Sequence, residues 1–256
     1  MMQGILITGI AGSGKTTLTK NYVNWLRKEL NTKVCAVNLD PGVNDLPYHT
    51  IFDARKIVMV DELMASEGLG PNGALIRATE ILAERVDKLI ESIAESDCDY
   101  IVIDTPGQME VFALRWAGRI VVGELKRIMN LAGVFLADHE PERELIDSIT
   151  TAFLSKIVEL KLEIPIIPVL NKLDLWKDNS IAKAWQDLFQ GDIKECYSLI
   201  KGNYGVLSDL LFELSEALAS FSSPIRVIPI SASKAIGFDM LFDALSEIWC
   251  ACGDLT

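Results

Sequence analysis

The sequence predicts an α/β fold, a doubly wound and mostly parallel sheet flanked by helices. Short β-branched runs recur along the chain, and most are apolar throughout instead of alternating, as parallel strands covered on both faces require. Longer stretches with apolar residues at helical spacing separate them.

The candidate strands are 5–8, 34–39, 100–103, 134–137, 164–170 and 225–230. Between the first two, Leu18, Tyr22, Trp25, Leu26 and Leu30 fall at helical spacing, with Lys20, Asn24, Arg27 and Lys28 elsewhere. Two regions depart from the alternation. Residues 61–97 form a long segment broken near its start by Gly68-Leu69-Gly70-Pro71-Asn72-Gly73, where a turn is forced and a helix restarts after Asn72. Residues 177–223 read as a helical insertion carrying Trp185, Leu188, Phe189, Tyr197, Leu210, Leu211, Leu214 and Leu218. Its leucines serve either the core or an apolar binding groove. At 256 residues, 1–256 is expected to be one domain with this insertion.

The chain carries 24 Lys+Arg against 36 Asp+Glu, a formal charge of −12. So acidic a surface repels phosphate backbones, so direct nucleic-acid binding and anionic membranes are disfavoured. No apolar run approaches the roughly 18 residues needed to cross a bilayer. The opening run ends in a glycine-rich loop with a lysine and not in a cleavage site, so a cytoplasmic location is expected. Five scattered cysteines read as reduced thiols, with Cys250 and Cys252 a close pair without a matching second pair.

Gly9-Ile10-Ala11-Gly12-Ser13-Gly14-Lys15-Thr16 matches the phosphate-loop pattern in full, after a strand and before a helix. Its glycines let backbone N–H groups turn around phosphate oxygens, and the helix N-terminus adds a positive dipole end. Gly12, Ser13, Gly14, Lys15, Thr16 and Thr17 are the candidate phosphate-binding positions, with Lys15 on the β- and γ-phosphates and Thr16 on Mg²⁺. This marks a P-loop NTPase. Ile10 stands where one class of P-loop ATPases carries a second lysine, which counts against that class.

Strand 100–103 runs into Asp104-Thr105-Pro106-Gly107-Gln108. A carboxylate at that strand end can hold Mg²⁺ through its water shell. The Gly107 N–H can sense a γ-phosphate, and the Gln108 amide can orient the attacking water. Asp40, in Asn38-Leu39-Asp40-Pro41-Gly42, either joins the magnesium site or caps its own turn. Farther on, Asn171-Lys172-Leu173-Asp174 follows a strand. The Asp174 carboxylate can accept from the guanine ring N–H and amine, Asn171 can meet the other base edge, and the Lys172 stem can cover its face. Ser231-Ala232-Ser233 can present a backbone N–H to the guanine O6. GTP or GDP is the expected ligand.

With these motifs in order, Gly70-Pro71-Asn72 between the second and third, and the tail Cys252-Gly253-Asp254-Leu255-Thr256, the chain resembles the GPN-loop GTPases of the SIMIBI class. That family is close to signal-recognition and metallochaperone GTPases. From residue types alone, Gly70-Pro71-Asn72 is a helix-starting turn with Asn72 as cap. The resemblance implies a homodimer in which Gly70, Pro71 and Asn72 reach the partner's nucleotide. It places Gln108 and Glu110 around the attacking water and Asp40 and Asp104 around magnesium. It also suggests a part in assembling protein complexes, RNA polymerase in eukaryotic relatives, through a client these residues do not identify. Two other readings stand beside the hydrolase. One is a P-loop kinase using Arg115, Arg119 or Arg127 as a lid, which leaves Asn171–Asp174 unexplained; the other is a GTP-stabilised scaffold with negligible turnover.

Overall fold

The computed structural model describes residues 2–138, 145–176, 183, 186–187, 207–221 and 226–253. Seven strands are present: β1 (Met2–Gly9), β2 (Val34–Asn38), β3 (Phe52–Asp53), β4 (Tyr100–Asp104), β5 (Met129–Asp138), β6 (Ile166–Asn171) and β7 (Ile228–Pro229). They form one sheet in the order β3-β2-β4-β1-β5-β6-β7, and every pairing is parallel. The doubly wound expectation therefore holds. The two-residue edge strand β3 had no signal in the sequence, because two residues carry no periodicity. β7 is shorter than its apolar run for the related reason that an edge strand is paired on one side only.

Along β1 the side chains alternate between two cores. Ile5 and Ile7 join a cluster with Leu18, Tyr22 and Leu26 of helix α1 (Lys15–Leu30) and with Phe238, Leu241 and Leu245 of helix α9 (Phe238–Gly253). Leu6 joins the opposite cluster, with residues of α2 (Val60–Glu67), α3 (Pro71–Glu84), α4 (Val86–Ala94), α5 (Met109–Phe112), α6 (Trp116–Ile128) and α7 (Leu145–Leu162). Period-two side-chain direction with both faces buried explains why the strands read as continuous apolar runs.

The helix after the glycine break starts earlier than expected. Gly70 is its extended N-cap and Pro71 its first residue, so Asn72 lies inside the first turn and is not the cap. Proline has no N–H to leave unpaired there, and its fixed φ suits a first helical turn. Of the insertion, only 183, 186–187 and helix α8 (Leu207–Phe221) are described; Trp185, Leu188, Phe189 and Tyr197 lie outside the described residues. Leu210 and Leu214 are exposed on α8. Residues 254–256 of the tail also lie outside the described residues.

One cysteine expectation is corrected. Cys35 on β2 and Cys98 just before β4 are paired as a disulfide, with Cα atoms 6.0 Å apart. They are separated by 63 positions, and it is the β2–β4 pairing that brings them together. Cys250 is free and exposed. Among the described residues no helix is long and apolar enough to cross a membrane.

Candidate functional site

The carboxyl ends of β1, β2, β4, β6 and β7 carry the phosphate loop, Asp40, Asp104–Gln108, Asn171–Asp174 and Ser231–Ser233 to one end of the sheet's strands, where ligands bind in open α/β folds. The phosphate loop leaves β1 and enters α1 with Gly14 as N-cap at φ +97°. Gly12 is left-handed too, at φ +75°, and a Cβ there would meet no atom within 4 Å, so glycine is required there for its backbone and not for space. A Cβ on Gly14 would come within 2.7 Å of Asn171 Nδ2, so only glycine allows this loop to rest on the base motif. Ser13 is buried and Thr17 exposed.

Lys15 is 5% exposed, and its ammonium donates to three carbonyls: Gly9 (3.0 Å), Ile10 (2.9 Å) and Gly107 (2.8 Å). Burial pushes it below the usual lysine range, against the pull of Asp104, Asp40, Glu110 and Asp138. A desolvated ammonium held only by neutral carbonyls is suited to exchange them for phosphate oxygens.

Asp104 is 1% exposed at the end of β4. Its Oδ2 accepts from the Tyr48 hydroxyl at 2.9 Å, and Thr16 stands near enough to favour the charged form. Burial outweighs both and raises its carboxyl to about 6. Its Oδ1 is buried without a hydrogen-bond partner. A buried, unpartnered carboxylate oxygen beside a threonine hydroxyl fits Mg²⁺, a hard cation that takes one or two protein oxygens and fills its shell with water and phosphate. No cluster of three or more His, Cys, Asp or Glu gathers among the described residues.

Of the two sequence readings of Asp40, the structure shows the turn cap, and it adds a contact across the site. Its Oδ1 accepts from the Gly42 N–H at 2.9 Å, which makes the turn cap, and its Oδ2 accepts from the Gly107 N–H at 3.1 Å. Burial raises its carboxyl above the usual range, opposed by these two backbone bonds and by Lys15. Asn38 braces the turn by donating to Asp40 O at 3.1 Å and to Asp53 Oδ1 at 3.0 Å. Arg55 closes the arrangement by pairing with Asp53 at 2.7 Å and donating to Val43 O and Asn44 O.

Gln108 is the exposed N-cap of α5 and Glu110 lies exposed in its first turn. Gln108 Nε2 donates to Asn72 Oδ1 of the same chain at 3.4 Å. Gly70, Pro71 and Asn72 are all exposed at this rim.

In the base motif Asn171 has a bracing role that its spacing did not announce. This side chain is 3% exposed; its Nδ2 donates to Ser13 O at 2.7 Å and its Oδ1 accepts from the Ala232 N–H at 2.8 Å. It joins the phosphate loop to the 231–233 loop, using one of its two amide hydrogens and engaging the Ala232 N–H. Packed between two loops, its amide finds complementary backbone groups on both sides. Lys172, left-handed at φ +64°, pairs with the buried Asp138 at 2.6 Å. Asp174 sits exposed in the short turn 173–175, its Oδ1 accepting from Ser231 Oγ at 2.5 Å and its Oδ2 from Ser233 Oγ at 3.4 Å. The Ser231 bond holds its carboxyl below the usual range, so it stays a charged acceptor.

Tyr48 and Asp138 were missed. Asp138 had a signal, since it ends β5 as Asp104 ends β4. Tyr48 had none, lying in a loop with no motif around it.

A phosphate loop, a buried strand-end carboxylate and an outward-facing acidic base motif on one parallel sheet define a P-loop nucleotide-binding protein. A family model described as "Conserved hypothetical ATP binding protein" matches residues 7–251. GPN-loop GTPase PAB0955 of Pyrococcus abyssi is 34% identical over 98% of this chain and 99% of its own length. Its crystal structure, titled a GTPase in apo form, superposes with a TM-score of 0.85 at 32% identity, covering 98% of this chain and all of that one. GPN-loop GTPase 1 of Saccharomyces cerevisiae is 31% identical over 95% of this chain, which spans 65% of that protein. The chain belongs to the GPN-loop GTPases.

Proposed function

We propose that this chain is a magnesium-dependent GTP hydrolase acting as a nucleotide-gated switch in a homodimer. The observation that carries this is the double hold on Gly107, whose carbonyl accepts from Lys15 and whose N–H is taken by Asp40. A γ-phosphate competes for both donors. Its arrival draws Lys15 and the Gly107 N–H to phosphate oxygens and releases the Asp40 carboxylate, and its loss restores the clasp. Gln108, one residue along, then holds the attacking water. Thr16 and Asp104 would hold the cation, with Asp40 joining once freed. Mg²⁺, when bound, would supply positive charge against the negative charge that builds on the phosphate oxygens as the bond breaks.

Guanine is the base we infer. Asp174 is an outward-facing anion that adenine cannot satisfy, and a site left with an unpaired charge rejects the wrong base strongly. Lys172 and Ser233 line the same rim. The homodimer follows from the family likeness; the exposure of Gly70, Pro71 and Asn72 beside Gln108 leaves them accessible to a second copy, which would add a neutral donor to the water. A cytoplasmic location and a client among multi-protein assemblies of the RNA polymerase type follow from the family likeness alone.

Titration with GTP and ATP in the presence of Mg²⁺, followed by single-turnover phosphate release, tests this reading. GTP should bind far more tightly than ATP, and Gln108→Ala should slow release with binding retained. Equal affinity for the two nucleotides, or unchanged release by the variant, would defeat it. Solution mass with GDP and with a GTP analogue should report two chains.

A further inference from the structure

Loop 39–51, between β2 and β3, does more than carry Asp40. Its far end is fastened to the sheet: Thr50 Oγ1 donates to Ala36 O (2.8 Å) and Phe52 O (2.6 Å), and the Ile51 N–H to Ala36 O (3.0 Å). Its near end is held by Arg55 on Val43 O and Asn44 O. Between these anchors Tyr48 packs its half-buried ring on the core cluster that contains Val34 and Ala36, and its hydroxyl bonds Asp104 Oδ2.

That bond has a geometric consequence. A carboxylate with no fixed partner turns about its Cβ–Cγ bond, and its acceptor directions turn with it. In Asp104 one oxygen is fixed by Tyr48 and the other, buried, has no hydrogen-bond partner. We propose that Tyr48 is a positioning residue: its hydroxyl sets the plane of the Asp104 carboxylate so that Oδ1 is presented to a divalent cation. Metal affinity thereby depends on loop 39–51 being docked. The inference rests on the magnesium-dependent reading above and assigns to it the residue that aims its carboxylate.

A hydroxyl that merely satisfied a buried acid would matter for folding but not specifically for the metal. The test therefore reads metal dependence separately from nucleotide affinity. Release of a fluorescent GDP analogue from the full-length chain is followed over a Mg²⁺ titration, and again in EDTA. Tyr48→Phe keeps the ring and removes the hydroxyl. The Mg²⁺ concentration for half-maximal slowing of release should rise about tenfold to a hundredfold, the effect of losing one hydrogen bond to a charged group. Release in EDTA should stay within about twofold of wild type. Arg55→Ala, which loosens the near anchor without touching Asp104, should shift the Mg²⁺ midpoint in the same direction.

A Tyr48→Phe midpoint within twofold of wild type would overturn the positioning role while leaving the proposed hydrolase intact. Equal acceleration with and without metal would reduce Tyr48 to a structural residue. An unchanged midpoint in Arg55→Ala would remove the dependence on loop docking. A wild-type protein whose GDP release ignores Mg²⁺ would overturn this inference together with the metal dependence of the proposed function.

Discussion

Asp40 and Gly107 are joined across 67 positions by one hydrogen bond, 3.1 Å from the backbone N–H to the carboxylate. This places an anion of the protein's own on the group that a γ-phosphate would engage. Lys15 pulls on the carbonyl of the same residue. The loop after β4 is thus held by an anion standing where the ligand's would and by the ammonium that the ligand would take.

Removing that internal competitor should favour the triphosphate. Measured in EDTA, so that a role of Asp40 at the cation does not enter, Asp40→Ala is expected to shift the ratio of affinities toward a GTP analogue over GDP by about tenfold, the low end of the worth of one hydrogen bond to a charged group. Hydrolysis should fall in the same variant. Competition against a labelled GDP measures the first, and a ratio unmoved or shifted toward GDP would show that Asp40 does not compete with the γ-phosphate.

Asp174 offers a change of base specificity. Asp174→Asn should weaken GTP by two or more orders of magnitude and improve binding of a xanthine nucleotide, whose ring presents the complementary acceptor. Isothermal titration with both nucleotides decides it. Retained GTP affinity would place the base elsewhere.

Asn171 should matter for stability first. Asn171→Ala leaves Ser13 O and the Ala232 N–H, both in buried surroundings, without their partner. Two such losses cost about 2–4 kcal/mol. In a chain of this size the thermal midpoint should drop by about 5–15 °C. A fall within 2 °C in the nucleotide-free protein would mean the two loops are held together by other contacts.

Acidity should act through Asp104. Its carboxyl is raised to about 6 by burial, whereas an unfolded chain would titrate near the ordinary value of about 3.9. The folded protein thus binds this proton more tightly than the unfolded one. The contribution is complete below about pH 4 and fades as pH rises through 6. A cation that takes only the carboxylate works the other way. The gain in thermal midpoint on adding Mg²⁺ to the GDP complex should therefore be larger at pH 7.5 than at pH 5.5. An equal gain at both values would show that Asp104 is not the group the metal displaces a proton from.

The motifs were legible because each is local. A glycine-rich turn between strand and helix, an acid at a strand end and an Asn-Lys-x-Asp tetrapeptide declare themselves within a few residues. The apolar strands announced the parallel sheet for the same reason, since burial on both faces leaves its mark on every residue in the run. Start signals were less secure. Asn72 is a good capping residue by type, yet Pro71 beside it had the stronger claim to the first helical turn.

What those residues touch was decided only when the chain closed on itself. Asn171 and Ser13 are 158 positions apart, Gly107 and Asp40 are 67 apart, and Tyr48 and Asp104 are 56 apart. No spacing rule connects such pairs. The strand order β2-β4-β1-β5-β6 puts their loops side by side, and the demand that buried polar groups find partners then selects which side chains meet. By itself the sequence determined the groups that can handle a nucleotide. The tertiary structure decided that Asn171 braces two loops, that Asp40 holds Gly107, and that the Tyr48 hydroxyl bonds Asp104.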